Sequence, residues 1–261
     1  MINLKTPQQK LNEWRTQNNM RRSYEIKLAA ALKKEFLRVS KTVSSNYIIS
    51  RSDSLGIESR AHYNRLKSII FTHWSSVTQN FRRRTFAMLR NIIEKEQKAY
   101  EDDFDREFEN FLFTNGAEKV TNISSTTIAN IRNAINSAQV DGLDVYTTAR
   151  RIIELSEIDS ITRAVLIART ETHQAANFAN FVSLDVVNIP NTTKEWVAVN
   201  DARTRDDHSI ANGQEVTKDG DFVVGGALLK YPGDPSGPAG QVINCRCTFV
   251  VNVPEPDFGG F

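Results

Sequence analysis

Residues 196–216 read W-V-A-V-N-D-A-R-T-R-D-D-H-S-I-A-N-G-Q-E-V, and residues 242–253 read V-I-N-C-R-C-T-F-V-V-N-V. Short apolar runs frame this region. The period there is two, so Lys194 to Val199 and Cys247 to Val253 are expected as strands, with weaker strands at Glu215 to Thr217 and Asp221 to Val224. Gly225-Gly226 and the Pro- and Gly-rich stretch from Tyr231 to Gly240 read as loops. Such short strands predict a small antiparallel sheet. Pro254-Glu255-Pro256 ends it, and a loose tail runs to Phe261.

Working outward from the sheet, the period changes to that of a helix. Thr6-Pro7 is a helix start, a capping hydroxyl followed by proline at the first helical position. Leu28, Leu32, Phe36, Val39, Val43 and Tyr47 follow at helical spacing. The polar turn Ser50 to Gly56 breaks this pattern, and a second stripe runs through Tyr63, Leu66, Ile70, Val77, Phe81, Met88 and Ile92. Phe104, Phe108 and Phe111 carry it on to an expected helix end at Asn115-Gly116. Three shorter helices are expected next. Ser124-Ser125 caps one bearing Ile128, Ile131 and Ile135, which closes near Asp141-Gly142. Asp144 opens a second. Asp159 caps a third, from Ser160 to about Val186, which ends at Asn188-Ile189-Pro190. Small residues at Ala175, Ala176 and Ala179 leave room for another element to approach this last helix. The fold class is therefore α+β: long N-terminal helices, as a hairpin or bundle, followed by short helices packed on a small antiparallel sheet. The chain divides into a basic helical arm at 1–120, an α+β domain at 121–253 and a tail at 254–261.

Hydrophobic residues at 40% and charged residues at 25% are the balance of an ordinary soluble domain. No apolar run reaches the length of a membrane span, and the first residues lack the apolar core of a signal peptide, so synthesis and function without export are expected. Two cysteines one residue apart do not make a disulfide framework. The net charge of +2 conceals a split: residues 1–100 hold 20 Lys and Arg against 7 Asp and Glu, a net of +13, and the rest of the chain nets −11. A basic half of this kind fits either a polyanionic partner or a solvated helical surface attracted to the acidic half. Arg82-Arg83-Arg84 is the densest basic run. It is a candidate contact to DNA phosphates or a solvated helix face, with the neighbouring Trp74, Phe81 and Phe86 read as core.

The polar residues of the decisive stretch admit two chemistries. His208 paired with Asp201 or Glu171, with Arg169 or Arg246 on a phosphate, would make a nuclease-like site. The same groups would equally make a polar network tying helix, loop and strand together, with an arginine clasping a carboxylate, and this is the expected reading. Cys245 and Cys247 on one strand face are expected to pack as small apolar side chains. The alternative is zinc on His208, Cys245 and Cys247, with His173 or Asp201 as a fourth ligand, although a spacing of two is outside the usual structural zinc pattern. No P-loop, nucleophile elbow or H-E-x-x-H is present, so no catalytic residue and no cofactor is assigned.

Taken in order, Ala168-Arg169-Thr170-Glu171, Trp196 with Asp201 five residues on, Arg205 with His208, Asn212-Gly213-Gln214, and Asn244-Cys245-Arg246-Cys247 resemble the phage Mu F-like family. These are minor capsid or head-morphogenesis proteins of tailed bacteriophages. The resemblance covers roughly Ser124 to Val253. It implies a minor structural protein of a phage head, not an enzyme, assembled in the host cytoplasm and retained in the virion. The implied partners are the portal protein or the major capsid protein, with double-stranded DNA contacted non-specifically and no membrane.

Overall fold

The computed structural model describes residues 2–50, 55–93 and 97–254. Helix α1 runs from Pro7 to Ser50, α2 from Leu55 to Met88, the single turn α3 from Arg90 to Ile93, and α4 from Gln97 to Phe111. A π-helical turn, Leu112–Gly116, leads into α5, Ala117–Val140, and α6 spans Val145–Val187. The rest is the α+β region: β1 Thr193–Val197, α7 Asp206–Ile210, β2 Glu215–Thr217, β3 Phe222–Val224, β4 Ala227–Leu229, α8 Ala239–Val242 and β5 Thr248–Asn252. The expected α+β class, with long helices first and small antiparallel sheets last, is what the chain adopts. Two compact units form, one from residues 1–23, 75–108 and 169–261, the other from 24–74 and 109–168.

Local chemistry explains most of the helix ends. The Thr6 hydroxyl accepts from the Gln9 N–H at 3.2 Å, while the Gln9 side chain accepts from the N–H groups of Lys5 and Thr6, both at 3.0 Å. This is a capping box with glutamine at the third position. Asp144 caps α6 in the same way, accepting from the N–H groups of Tyr146 and Thr147. Asp141-Gly142 closes α5, with Gly142 at φ +65°, and Asn188 at φ +50° ends α6. The expected polar turn at 51–54 and the tail from 255 lie outside the described residues.

Three expected breaks are not breaks. Gly116 has helical dihedrals and joins the π turn to α5. A Cβ there would stand 2.7 Å from the Phe71 ring, so glycine serves close packing rather than chain reversal. Ser124-Ser125 lies inside α5, Ser124 buried and the Ser125 hydroxyl donating to the Asn122 carbonyl. Asp159 lies inside α6, which runs on as one helix of 43 residues. At Gly116 and Ser124 tertiary burial carries the helix past a residue that would favour a terminus in isolation.

In the second unit the first apolar stripe is fully realised. Leu28, Leu32, Phe36, Val39 and Val43 are all buried. Val39 and Val43 join Leu55, Ile128, Ile131, Ala134, Ile135 and Ile152 in one core cluster, with Tyr47 packed against it. On α2 the expected stripe is buried at Leu66, Ile70, Val77 and Phe81, but Met88 at the helix end is exposed.

In the first unit β1 is the central strand of a three-stranded antiparallel sheet ordered β2-β1-β5. Ile2 bridges to Val251, the Asn3 N–H donates to the Val251 carbonyl, and the Asn3 side chain accepts from the Val253 N–H, so the chain start lies along β5. β3 and β4 form a hairpin across Gly225-Gly226, at φ +56° and +80°. Both central residues have positive φ, as a type I′ turn requires. The pair was expected as a loop. β3 falls within the weak strand expected at Asp221 to Val224, whereas β4 was not expected, its three residues being too short to show a period of two.

Candidate functional site

The residues of the decisive stretch come together around the start of β5, within the first unit. Helix α6 supplies one wall. Residues 171–180 are buried without a break, so this part of the helix is enclosed on all sides. Ala175, Ala176 and Ala179 are 0% exposed, which fits the close approach expected there. From the start of this segment the Arg169 guanidinium donates to the Asn244 side chain at 3.0 Å, and the Thr170 hydroxyl accepts from the Asn244 N–H at 3.0 Å. Glu171 is buried beside them.

Asn244 holds the turn that makes the rest possible. It sits at φ +58°, in the left-handed region, where asparagine is one of the few tolerated side chains. The chain then runs through Cys245, Arg246 and Cys247 without strand pairing, and β5 begins only at Thr248. The expected strand start at Cys247 is thus one residue early, and Cys245 lies outside the strand, because the left-handed residue and the Cys245 N–H bond back to the Val242 carbonyl keep the chain in a turn. Arg246 faces away from the thiols. Its guanidinium grips both oxygens of Asp201, at 2.8 Å on one side and closer on the other. That grip, with the Arg203 N–H and Thr204 hydroxyl bonds, holds the Asp201 carboxyl well below the usual range. The Trp14 indole N–H donates to the Arg246 carbonyl at 2.7 Å. Arg205 donates to the Ile243 carbonyl.

The asparagine-glycine-glutamine segment is backbone architecture. The Asn212 side chain accepts from the Ala198 N–H, and Gly213, at φ +81°, donates to the Trp196 carbonyl. Gln214 pairs with Val223 through both ends of its amide. Trp196, 0% exposed, packs edge-on against both Phe222 and His208.

His208 lies with the thiols rather than with Asp201. Its Nδ1 is 3.4 Å from the Cys247 sulfur and 3.7 Å from that of Cys245, and its Nε2 is 3.0 Å from the Gln241 side-chain oxygen. The Gln241 amide nitrogen in turn donates to Asp207 at 2.8 Å. His208, Cys245 and Cys247 are all buried, and their ligating atoms lie within 4.8 Å of one another. Burial resists ionisation of Cys245, but the hydrogen bond with Cys247 and the imidazoles of His173 and His208 outweigh it, so this thiol is lowered well below its usual range. Cys247, hydrogen-bonded to that sulfur and buried, holds its proton more tightly. Both thiols are free. A small cavity lined by Val199, Arg203, Thr204, Arg205, Asn244 and Arg246 opens beside His208 and Cys247.

A second buried polar ladder was not anticipated. His173, Asn177 and Asn180 occupy one face of α6. His173 Nε2–H donates to the Cys247 carbonyl at 2.6 Å, and Asn177 donates to the Pro232 carbonyl at 2.9 Å and accepts from the Thr248 hydroxyl at 3.1 Å. Gln17 accepts from Thr248 and Asn180 and donates to Glu13, which also binds Arg84. Burial pushes the His173 imidazole down to about 4, so it is neutral. The signal that could have found the ladder is the spacing of four and three between His173, Asn177 and Asn180, a polar stripe within the buried part of α6.

The arginine run is mostly engaged within the chain. Arg82 pairs with Asp105 and lies over the Phe104 ring, Arg84 binds Glu13, and Arg83 is exposed. Trp74, Phe81 and Phe86 are buried, as expected of core residues.

Residues 129–250 match the family model described as Phage Mu protein F like protein. No curated protein and no solved structure matches the chain. The matched segment contains every motif residue, from the α6 arginine to the two cysteines, and so bears out the resemblance read from those motifs.

Proposed function

We propose that the chain is a minor structural protein of a tailed-phage head, acting in capsid assembly at or near the portal, because residues 129–250 match the Phage Mu F-like family model. The observation that carries this reading is the family match itself, over the segment where the motif residues are concentrated. The engagement of the motif residues with one another and with the backbone supports a structural role. His208 is 2% exposed, Asp201 is clasped by Arg246, and Asn212 and Gln214 are spent on backbone bonds. Side chains that pair with one another and with the backbone fix a fold, whereas a hydrolytic site must leave donors aimed at open space. In this reading the region at 121–253 is a docking module and no catalytic residue is assigned.

The finer partners follow from the same reading. The portal or the major capsid protein is the expected docking partner, and the virion the expected location. The basic first hundred residues would engage packaged duplex DNA without sequence preference, with Arg83 the member of the arginine run best placed to do so. The test is to co-express the full chain with the portal protein of its own phage and to sediment the mixture. Co-migration is expected. A chain that sediments alone and is also missing from purified particles is not a head protein. The DNA arm is read separately: binding should weaken by orders of magnitude between about 50 and 200 mM salt, and binding indifferent to salt would leave the basic surface as mere solvation.

A further inference from the structure

Four features of the His208, Cys245 and Cys247 cluster go beyond side chains filling space. The first is the tautomer of His208. Asp207 as a carboxylate only accepts, so the Gln241 end facing it must be the amide nitrogen. The Gln241 oxygen therefore faces His208 Nε2, and that nitrogen must carry the proton. Nδ1 is left as a bare lone pair, and it points at two sulfurs. This relay, in which a carboxylate orients an amide and the amide orients an imidazole, is how proteins fix a metal-binding histidine.

The second feature is distance. Zinc bonds of about 2.3 Å to sulfur and about 2.0–2.1 Å to imidazole nitrogen, at tetrahedral angles, put nitrogen and sulfur about 3.6 Å apart. His208 Nδ1 lies 3.4 and 3.7 Å from the two sulfurs. The third is charge: a divalent cation with two thiolates and a neutral imidazole carries no net charge, so the burial of all three side chains needs no counter-ion. The fourth is the adjoining cavity, of about 10 Å³, the room of one water molecule. It can admit a fourth small ligand but no substrate. The sulfurs converge despite the two-residue spacing because residues 245–247 leave the left-handed turn at Asn244 before strand pairing begins.

We propose that His208 Nδ1, Cys245 Sγ and Cys247 Sγ form a structural zinc site, completed by a water in the adjoining cavity. The ion would tie α7 to the start of β5 across a segment that includes β2, the β3–β4 hairpin and α8, where regular structure is sparse. Neither Asp201 nor His173 is a ligand. Asp201 is exposed and held by Arg246, and the protonated nitrogen of His173 is spent on the Cys247 carbonyl. This inference does not depend on the phage reading, and either can fail alone.

The test uses the full chain, purified without chelator. Elemental analysis should find zinc at one ion per chain. Replacement by cobalt should give the absorption of thiolate-bound tetrahedral cobalt. Stripping the metal should lower the melting temperature, and added zinc should restore it. In Cys245→Ser and His208→Ala the zinc content should fall severalfold. Should either variant fail to fold, the cobalt spectrum and the zinc-dependent melt of the unaltered chain still decide. Background zinc, no thiolate–cobalt band and a melt indifferent to zinc would overturn the proposal.

Discussion

A single backbone angle at Asn244 decides where Arg246 and the two thiols point, and glycine does similar work at Gly233. Gly233 sits at φ +85°, and a Cβ there would stand 2.7 Å from His173 Nδ1. Gly233→Ala therefore meets two penalties, the left-handed backbone, roughly 1–2 kcal/mol, and the displacement of a packed imidazole. Gly142 is the internal control. It has φ +65° and nothing within 4 Å of a built Cβ, so Gly142→Ala should show the backbone penalty alone. Denaturant titrations of the two variants should rank Gly233→Ala as clearly the more destabilised. Equal losses would show that His173 yields freely. The residue scale is also where the sequence was least legible. The motif residues Arg169, Asp201, His208 and Cys247 could be named from their order. Which one faces which could not, because partner choice depends on a left-handed asparagine and on Gln241, a residue with no motif around it.

At the scale of elements, periodicity read the structure well wherever one face is buried. The stripe from Leu28 to Val43 and the strands at β1, β2 and β5 follow their spacing. Failures cluster where a polar or small residue lies inside a helix. Asp159 was expected to divide α6, yet packing over 43 residues outweighs a local cap preference of about 1 kcal/mol. Gly116 shows the same contest in a form that can be measured. In an exposed helix Gly→Ala is stabilising by about 1 kcal/mol. At Gly116 the new methyl would press on Phe71, itself stacked with Trp74, so Gly116→Ala should destabilise, by about 1–3 kcal/mol for an overpacked core. Gly56, with open space at its Cβ and near the start of α2, supplies the comparison and should tolerate alanine without loss. Thermal melts that showed Gly116→Ala as stable as the unaltered chain would mean the glycine is there for helix continuity alone. Long-range pairings were illegible for a different reason. Trp14 meets Arg246, and Gln17 meets Thr248, across more than 200 residues, and no spacing rule within either segment encodes such a meeting.

For the molecule as a whole, the buried ionisable groups set how stability responds to acid, and they act in two windows. His73 is buried at the edge of the Tyr24 ring, and burial pushes its imidazole from 6.5 down to about 4. Between those values the unfolded chain takes up a proton that the folded chain refuses, so stability must fall as pH drops through this window. A shift of that size corresponds to at most about 3 kcal/mol. The carboxylates act lower. Glu35, bound by His62 and Arg38, and Glu13, bound by Arg84 and Gln17, are both held below 4.5 despite burial. Their stabilisation is present above the unfolded value and lost as pH falls through the folded one. The two windows are separable by mutation. His73→Gln removes the His73 share of the upper window and leaves in place both glutamates and the share of His173, which burial also pushes down to about 4. Denaturation free energies of the unaltered chain should decline from about pH 6.5 toward 4 and then drop further. In His73→Gln the first decline should become shallower, the His173 part persisting, while the second remains. Parallel curves for the two proteins across pH 6.5 to 4.5 would place the acid sensitivity elsewhere, and His73 would then have to titrate within the fold close to its ordinary value.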